Sequence, residues 1–321
     1  MPVDTYRRTI DYLRISVTDR CNLRCVYCMP LEGIRLLPHE EMLTYEELTF
    51  VARAAVAAGL SKIRLTGGEP LVRKDIADLV REIASIEGLR DLGLTTNGIL
   101  LAEQARDLYD AGLRRINVSL DTLDPERFRQ ITRGGEVARV LVGIDAALEV
   151  GFDPVKINVV ALRETVDTEL ETFMKLVYEK PVHVRFIEQM DLRGARPASF
   201  SCQELKDRLA GLVTLADDEG PRGNGPARYV KPAGALGTIG FICLYTDHFC
   251  DRCNRLRLTA DGKLRTCLFA GKEIDLKSFV RSGASFDELV SFIQASLALK
   301  PENFEEAIKE GNERSMRQIG G

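Results

Sequence analysis

The sequence predicts an α/β protein: a partial, open TIM-like barrel of six βα units, followed by a small C-terminal α+β domain. Three observations carry this. β-rich apolar runs alternate with helical runs six times, which implies βα units on a parallel sheet. The strand cores are apolar on both faces, as in a sheet covered by helices. Glycine and polar residues gather just after the strands, at Thr66–Gly67–Gly68–Glu69, Thr95–Thr96–Asn97–Gly98, Ser119–Leu120–Asp121 and Glu188–Gln189–Met190. Parallel α/β folds place their sites on that face. Six units are too few for the closed eightfold barrel.

The first strand is "YLRISVT" (12–18), and a cysteine-bearing loop follows it. Thr44 with Glu47 three residues on is a capping box. It opens a helix whose Leu48, Val51, Ala52, Ala55 and Val56 share one apolar face, and Gly59 ends it. "KIRLTGG" then pairs a strand with a helix at 74–86, and "LGLTTNG" one with 101–110. "RINVSLD" is followed by a helix at about 136–150, "VKINVVAL" by 167–178, and "VHVRFIE" by 201–211. After about residue 215 comes "DDEGPRGNGPARYVKPAGALGTIG", whose Gly and Pro mark a boundary. Residues 1–215 are therefore read as the barrel and 216–321 as the second domain. There "RLRLTADGKLRTCLF" reads as a hairpin turning at Asp261–Gly262, with helices near 273–281 and 286–298.

The chain has 321 residues, 45% of them apolar, and a net charge of -4. Nothing global suggests nucleic acid or an anionic membrane as partner, so an anionic ligand needs a local cluster of cations. "MPVDTYRRTI" lacks the apolar core of a signal peptide, and no run reaches the length of a membrane span. A cytoplasmic protein is expected. Its eight cysteines are then read as ligands or reactive groups rather than disulfides.

Six of those cysteines form two groups of three. "CNLRCVYC" holds Cys21, Cys25 and Cys28. A structural zinc site normally takes four protein ligands. Three leave a position vacant on zinc, or leave one iron of a 4Fe–4S cluster without a protein ligand. The second group is Cys250-x2-Cys253-x13-Cys267. His248 or Cys243 could complete a zinc site there; a second open cluster is the other reading. Cys202 reads as a buried small apolar residue. On a strand Arg255 and Arg257 share a face about 7 Å apart, which suits an anion clamp. Arg14, Arg64 and Lys156 are further cations on predicted strands. A lysine inside the apolar "VKINVV" needs an anionic partner.

"CNLRCVYC" resembles the signature of radical S-adenosylmethionine (SAM) enzymes, and "TGGEP" (66–70) resembles their second motif. The resemblance implies that Cys21, Cys25 and Cys28 hold a 4Fe–4S cluster whose open iron chelates SAM. One electron then splits SAM into methionine and a 5′-deoxyadenosyl radical. It places Tyr27 beside the adenine and Gly68 at the methionine amino group.

With Cys250-x2-Cys253-x13-Cys267, Arg-x-Arg and a Gly-Gly terminus, nearly the whole chain resembles the GTP 3′,8-cyclase family. These lyases open molybdenum cofactor biosynthesis. The resemblance implies a second 4Fe–4S cluster on Cys250, Cys253 and Cys267, which holds the guanine of GTP. It implies that Arg14, Arg64, Thr95, Lys156, Arg255, Leu256 and Arg257 bind GTP, and that Tyr27, Gly68, Ser119 and Met190 bind SAM. It sends Gly320 and Gly321 into the active site near Arg64, with Arg317 worth testing beside them. The expected product is 3′,8-cyclo-7,8-dihydro-GTP, passed on to cyclic pyranopterin monophosphate synthase. Flavodoxin or ferredoxin is the expected reductant, and a monomer or homodimer the expected state. After "RFIE" the family usually runs Met-Pro-Val-Gly; here the run is "QMDLRGA", with Met190 retained.

Two rival readings stand beside this one. A radical SAM maturase of a peptide or porphyrin usually carries about seven cysteines in its C-terminal domain, more than this chain has. A non-catalytic iron–sulfur or zinc protein saturates its metal with protein ligands, whereas here two sets stop at three.

Overall fold

The computed structural model describes residues 2–192, 200–223 and 225–320. The first three βα units are β1 (Tyr12–Ser16), α1 (Tyr45–Ala57), β2 (Lys62–Thr66), α2 (Ile76–Ala84), β3 (Asp91–Thr96) and α3 (Leu101–Asp110). The next are β4 (Arg115–Ser119), α4 (Pro125–Thr132), α5 (Val137–Val150), β5 (Val155–Val160), α6 (Arg163–Glu179), β6 (Val182–Ile187) and α7 (Cys202–Leu212). The remainder holds β7 (Leu215–Asp218), β8 (Arg228–Pro232), β9 (Thr238–Ile242), β10 (Arg255–Leu258), β11 (Lys263–Arg265) and β12 (Ile274–Asp275). Three helices follow, α8 (Leu276–Arg281), α9 (Phe286–Ser296) and α10 (Phe304–Ile308).

One sheet carries all these strands, in the order β12-β11-β10-β1-β2-β3-β4-β5-β6-β9-β8-β7. β1 to β6 run parallel, as the βα alternation requires. The chain then extends the parallel set at both edges, with β10 beside β1 and β9 beside β6. The hairpin expected at Asp261–Gly262 forms between β10 and β11, with Gly262 at φ +76°.

Local chemistry explains the elements. The Thr44 hydroxyl accepts from the Glu47 amide at 3.2 Å, and the Glu47 carboxylate accepts from the Thr44 amide at 2.8 Å, closing the capping box of α1. Helix α4 was not foreseen. Its signal is Asp124, which caps the Arg127 amide, followed by Pro125 at the first helical position. The core lies between the sheet and its helices, with Ile15, Leu65, Leu94, Val118, Ile157 and Val184 all buried.

The structure corrects the reading of two cysteines. Cys202 and Cys243 form a disulfide, with Cα atoms 6.1 Å apart. Cys202 is not a lone apolar residue, and Cys243 is not available as a fourth metal ligand. The pair joins the start of α7 to the residue after β9 across 41 positions, a contact that no local pattern encodes. Among the described residues no helix is long and apolar enough to cross a membrane.

Candidate active site

A cavity of about 1110 Å³ opens among the strand ends, and both cysteine groups reach it. Cys28 stands on its wall, as do Cys250, Cys253 and Cys267. Strand register builds the wall between them. Arg14 of β1 lies level with Arg64 of β2 on one side and Arg257 of β10 on the other. Neighbouring strands are about 4.8 Å apart, and like charges directly opposite repel. One rung earlier Tyr12 lies level with Arg255.

Arg64 is buried; its Nε donates to the Tyr12 hydroxyl at 2.7 Å and its Nη1 to the Leu94 carbonyl at 3.1 Å. The next strand leaves room for it. A Cβ on Gly93 would lie 2.8 Å from the Arg64 guanidinium. Burial lowers Arg14 to about 10, with Arg64 and Arg255 adding to the effect. Burial opposes ionisation of Tyr12, but Arg64 and Arg14 outweigh it and bring the phenol to about 8. Arg257 is also pushed down, by burial and by Arg14 and Arg255. A buried row of arginines of this kind calls for an anion. Thr95, on the same wall, has a buried hydroxyl without a hydrogen-bond partner among the described residues.

The first cysteine loop leaves β1 and is stitched to the turn after β2. The Gly68 amide donates to the Thr18 carbonyl at 2.7 Å, and the Glu69 amide to the Arg20 carbonyl at 2.8 Å. A Cβ on Gly68 would lie 2.4 Å from the Arg20 carbonyl oxygen, so the close approach admits only glycine. Buried Glu69 accepts from the Asn97 amide at 2.6 Å and the Thr96 hydroxyl at 2.7 Å. Burial pushes its carboxyl up to about 7 against those bonds. Asn97 Nδ2 in turn donates to Asn22 Oδ1 at 2.7 Å and approaches Cys21 Sγ at 3.8 Å. The Tyr27 hydroxyl donates to Asp121 at 2.5 Å, and burial raises both groups. Arg317 is buried beneath the loop, donating to the Asp19 carbonyl and, at 3.6 Å, to Met29 Sδ. Burial raises all three thiols, Cys28 to about 11.

The second group has a more cationic setting. Cys250 and Cys253 bound a short 3-10 turn. Arg8, paired with Asp4 at 2.6 Å, donates to the Cys250 carbonyl at 2.9 Å. The buried Lys300 ammonium donates to the carbonyls of Thr266 at 2.6 Å and Arg255 at 2.9 Å. Burial would raise Cys253, but Arg255 and Lys300 outweigh it and bring the thiol down to about 6. His248, the other fourth-ligand candidate, stacks on Phe304 with ring centroids 5.6 Å apart. Among the described residues no three metal-binding side chains close to the spacing of a single ion. Yet the thiols within each group feel one another's charge.

Most of the predicted residues meet at this cavity: Arg14, Tyr27, Arg64, Thr95, Ser119, Met190, Arg255 and Arg257 line it. Cys21, Cys25 and Gly68 do not line it. Lys156 is buried below it, donating to the Arg222 carbonyl at 2.8 Å. Burial lowers its ammonium to about 6, with Arg185, Arg115 and Arg64 adding to the effect. Leu256 is fully buried in the apolar core, so its side chain does not face the cavity. The Gly320 carbonyl accepts from Arg14 Nη2 and the Thr66 hydroxyl, each at 3.1 Å. Gly321 and the 193–195 part of "QMDLRGA" lie outside the described residues. Sequence reasoning missed Tyr12, Asn117, Asn158, Arg185 and Lys300, all on the wall. Asn158 Oδ1 accepts from Arg185 Nε at 2.9 Å. Asn117, Asn158 and Arg185 carry the signal that Lys156 does, a polar residue inside an apolar strand.

The parallel sheet and the three-cysteine loop after its first barrel strand define a radical SAM protein, and residues 15–177 match the radical SAM superfamily. Residues 182–306 match the Molybdenum Cofactor Synthesis C family. Across 99% of both chains the protein is 49% identical to the GTP 3′,8-cyclase of Pelotomaculum thermopropionicum and 49% identical to that of Thermodesulfovibrio yellowstonii. It is 48% identical to that of Moorella thermoacetica. The chain therefore belongs to the GTP 3′,8-cyclase family. As a member it is a lyase that uses SAM and two 4Fe–4S clusters in molybdenum cofactor biosynthesis. Its fold is similar to that of SuiB from Streptococcus suis, with a TM-score of 0.65 at 14% identity over 90% of this chain and 65% of that one.

Proposed function

We propose that the cavity joins GTP to itself: a bond forms between ribose C3′ and guanine C8, giving 3′,8-cyclo-7,8-dihydro-GTP. The observation that carries this is the single cavity walled by both cysteine groups with the arginine row between them. Cys21, Cys25 and Cys28 hold one 4Fe–4S cluster, and Cys250, Cys253 and Cys267 the other. When bound, the first supplies the electron that splits SAM, and the second an open iron for guanine.

The chain's own residues divide the remaining work. Tyr27, Gly68, Ser119 and Met190 hold SAM against the first loop. Arg14, Arg64, Lys156, Arg255, Leu256 and Arg257 hold GTP, Leu256 through its backbone. The anion relieves the repulsion along the arginine row, and Thr95 gains its missing partner. Gly320, whose carbonyl accepts from Arg14 and Thr66, brings the C-terminal tail to the site. With both groups bound, hydrogen would leave ribose C3′ and C3′ would bond to guanine C8, with one electron and one proton completing the product. Residues 216–321 supply the guanine side of the site. The enzyme works in the cytoplasm, draws electrons from a flavodoxin or ferredoxin, and hands its product to cyclic pyranopterin monophosphate synthase.

The test is anaerobic turnover with SAM, dithionite and GTP deuterated at C3′. Deuterium is expected in the 5′-deoxyadenosine, and none when GTP deuterated at C2′ replaces it. Deoxyadenosine without deuterium would point to a different substrate.

A further inference from the structure

One buried cation takes no part in the site described above. Arg317 is 6% exposed and does not line the cavity. Its Nε donates to the Asp19 carbonyl, and its Nη1 to Met29 Sδ at 3.6 Å. Those acceptors stand just before Cys21 and just after Cys28, so the guanidinium spans the first cysteine loop. Both acceptors are uncharged. The Asp19 carboxylate accepts from the Leu37 amide at 2.7 Å, and no carboxylate lies within ion-pair distance of Arg317 among the described residues. A buried guanidinium held by neutral groups calls for an anion. Because Arg317 does not line the cavity, that anion belongs to the loop beside it rather than to a ligand in the chamber.

The sulfurs of the loop feel that charge. Burial raises Cys21 and Cys28; Arg317 opposes it by its charge at both, and by its backbone amide as a hydrogen-bond donor toward Cys28. Glu69 acts with burial at Cys21, and Asp121 does so at Cys25 and Cys28. The C-terminal segment fixes Arg317 in place. Met316–Ile319 form a 3-10 turn, and the Gln318 side-chain oxygen accepts from the Ser315 amide at 2.9 Å to close its start. Ile319 is buried in the apolar cluster of Leu244, Phe269 and Phe304. The Gly320 carbonyl, held by Arg14 and Thr66, anchors the far end.

We propose that Arg317 sets the reduction potential of the redox site on Cys21, Cys25 and Cys28, its guanidinium and backbone amide stabilising the electron that the site accepts. The inference rests on the reading of those three cysteines as ligands of a 4Fe–4S cluster. One electron enters from an external one-electron reductant, which is oxidised by one unit while the site is reduced by one unit. No proton or group is transferred. The added electron makes the site more negative. A fixed cation and an N–H donor at a ligand sulfur therefore favour the reduced state and raise the potential. Burial keeps solvent and salt from screening the effect. Arg317 acts through the cysteine sulfurs and not on the substrate.

The experiment is a redox titration of the reconstituted enzyme followed by electron paramagnetic resonance, with iron content measured alongside. S-adenosylhomocysteine carries the amino and carboxylate groups of SAM without its sulfonium, so the first cluster's signal is the one it alters. Arg317→Gln removes the charge and is expected to lower that cluster's potential by about 59 mV or more, a tenfold shift in the one-electron equilibrium. The second cluster's potential and the total iron should not move. Arg317→Lys restores the charge and should recover at least half of the shift. An unchanged potential in Arg317→Gln at full iron would overturn the proposal, as would an equal fall in both clusters. If Arg317→Gln fails to hold the first cluster, Arg317→Lys decides. Full iron and a potential close to that of the wild type would support the charge as the cause. A lost cluster, or a tenfold shift despite the lysine, would make Arg317 part of the loop's packing and overturn the proposal. If the wild type has no cluster that S-adenosylhomocysteine alters, the three-cysteine reading falls and the proposal with it. A responsive cluster indifferent to residue 317 overturns the proposal alone.

Discussion

The two cysteine groups share a chamber but differ at Cys253: burial raises Cys250 as it raises the thiols of the first group, whereas Cys253 is held down. Around the first, Glu69 and Asp121 are the buried neighbours that add to burial in raising thiol pKa values, and Cys28 stands at about 11. Around the second, Arg255 and Lys300 overcome burial and hold Cys253 at about 6. A thiolate is the species that ligates iron. The first loop therefore carries thiols that burial keeps protonated, with Arg317 as an opposing charge at Cys21 and Cys28, whereas Cys253 has Arg255 and Lys300 beside it. That positive charge continues into the row Arg257, Arg14 and Arg64. On the proposed assignment, one patch of positive charge would serve both the substrate anion and the second cluster.

The largest effect expected separates the two groups by function. Cys28→Ala should abolish SAM cleavage and lose about four irons per chain, as befits a corner ligand of a 4Fe–4S cluster. Cys253→Ala should lose GTP cyclisation while SAM cleavage persists, uncoupled from product. Iron content and deoxyadenosine yield check both. Equal loss of SAM cleavage in the two variants would erase the division.

The remaining cysteines belong to neither group, and they provide a control. Cys202 and Cys243 close a 41-residue loop, and in the chain-entropy account a crosslink of that span stabilises by about 4 kcal/mol. The double change Cys202→Ser with Cys243→Ser should destabilise oxidised, cluster-free protein by up to that amount in urea unfolding. Iron content should not change. Lost iron would join this pair to the cluster chemistry.

These comparisons show which parts of the molecule local sequence can reveal. The barrel strands and their site face were legible because a parallel sheet imposes apolar runs and puts its polar residues at strand ends. Both cysteine groups were legible because their members are close in sequence. The arginine row was only half legible: Arg14, Arg64 and Arg257 could each be named, but their alignment depends on β10 docking beside β1, a long-range register. The Cys202–Cys243 bond failed for the same reason. Lys300 sits at the end of a helical region, where a lysine usually caps or meets solvent, and only tertiary packing buries it. Arg185 and Asn158 were readable by the argument used for Lys156.

A smaller effect tests the electrostatic contrast directly. At pH 7 a thiol with a pKa near 6 is mostly thiolate, while one near 11 is ionised about one part in ten thousand. Lower basicity also lowers nucleophilicity, which returns about two of those four decades. In cluster-free protein Cys253 should therefore react with iodoacetamide roughly 100-fold faster than Cys28. The advantage should shrink above pH 7 as Cys28 begins to ionise, whereas below pH 6 both rates fall together. Peptide mapping of timed samples reads the ratio. A ratio near one would mean that Arg255 and Lys300 do not set the character of the second site.

The smallest effect concerns a single hydroxyl and turns on sign rather than size. Thr95 Oγ1 is buried on the cavity wall without a partner among the described residues. An unsatisfied buried hydroxyl costs about 1–3 kcal/mol. Thr95→Val keeps the shape and the β-branch on β3 and removes that cost, so ligand-free protein should become more stable by about 1 kcal/mol. GTP binding should move the other way, weakening by about the value of one hydrogen bond, while SAM affinity stays level. Opposite shifts in unfolding free energy and GTP affinity would mark Thr95 as a group left unpaired for the substrate's sake. If stability and GTP affinity fell together, the hydroxyl would be part of the fold instead, and the cavity's second side would lose one of its substrate contacts.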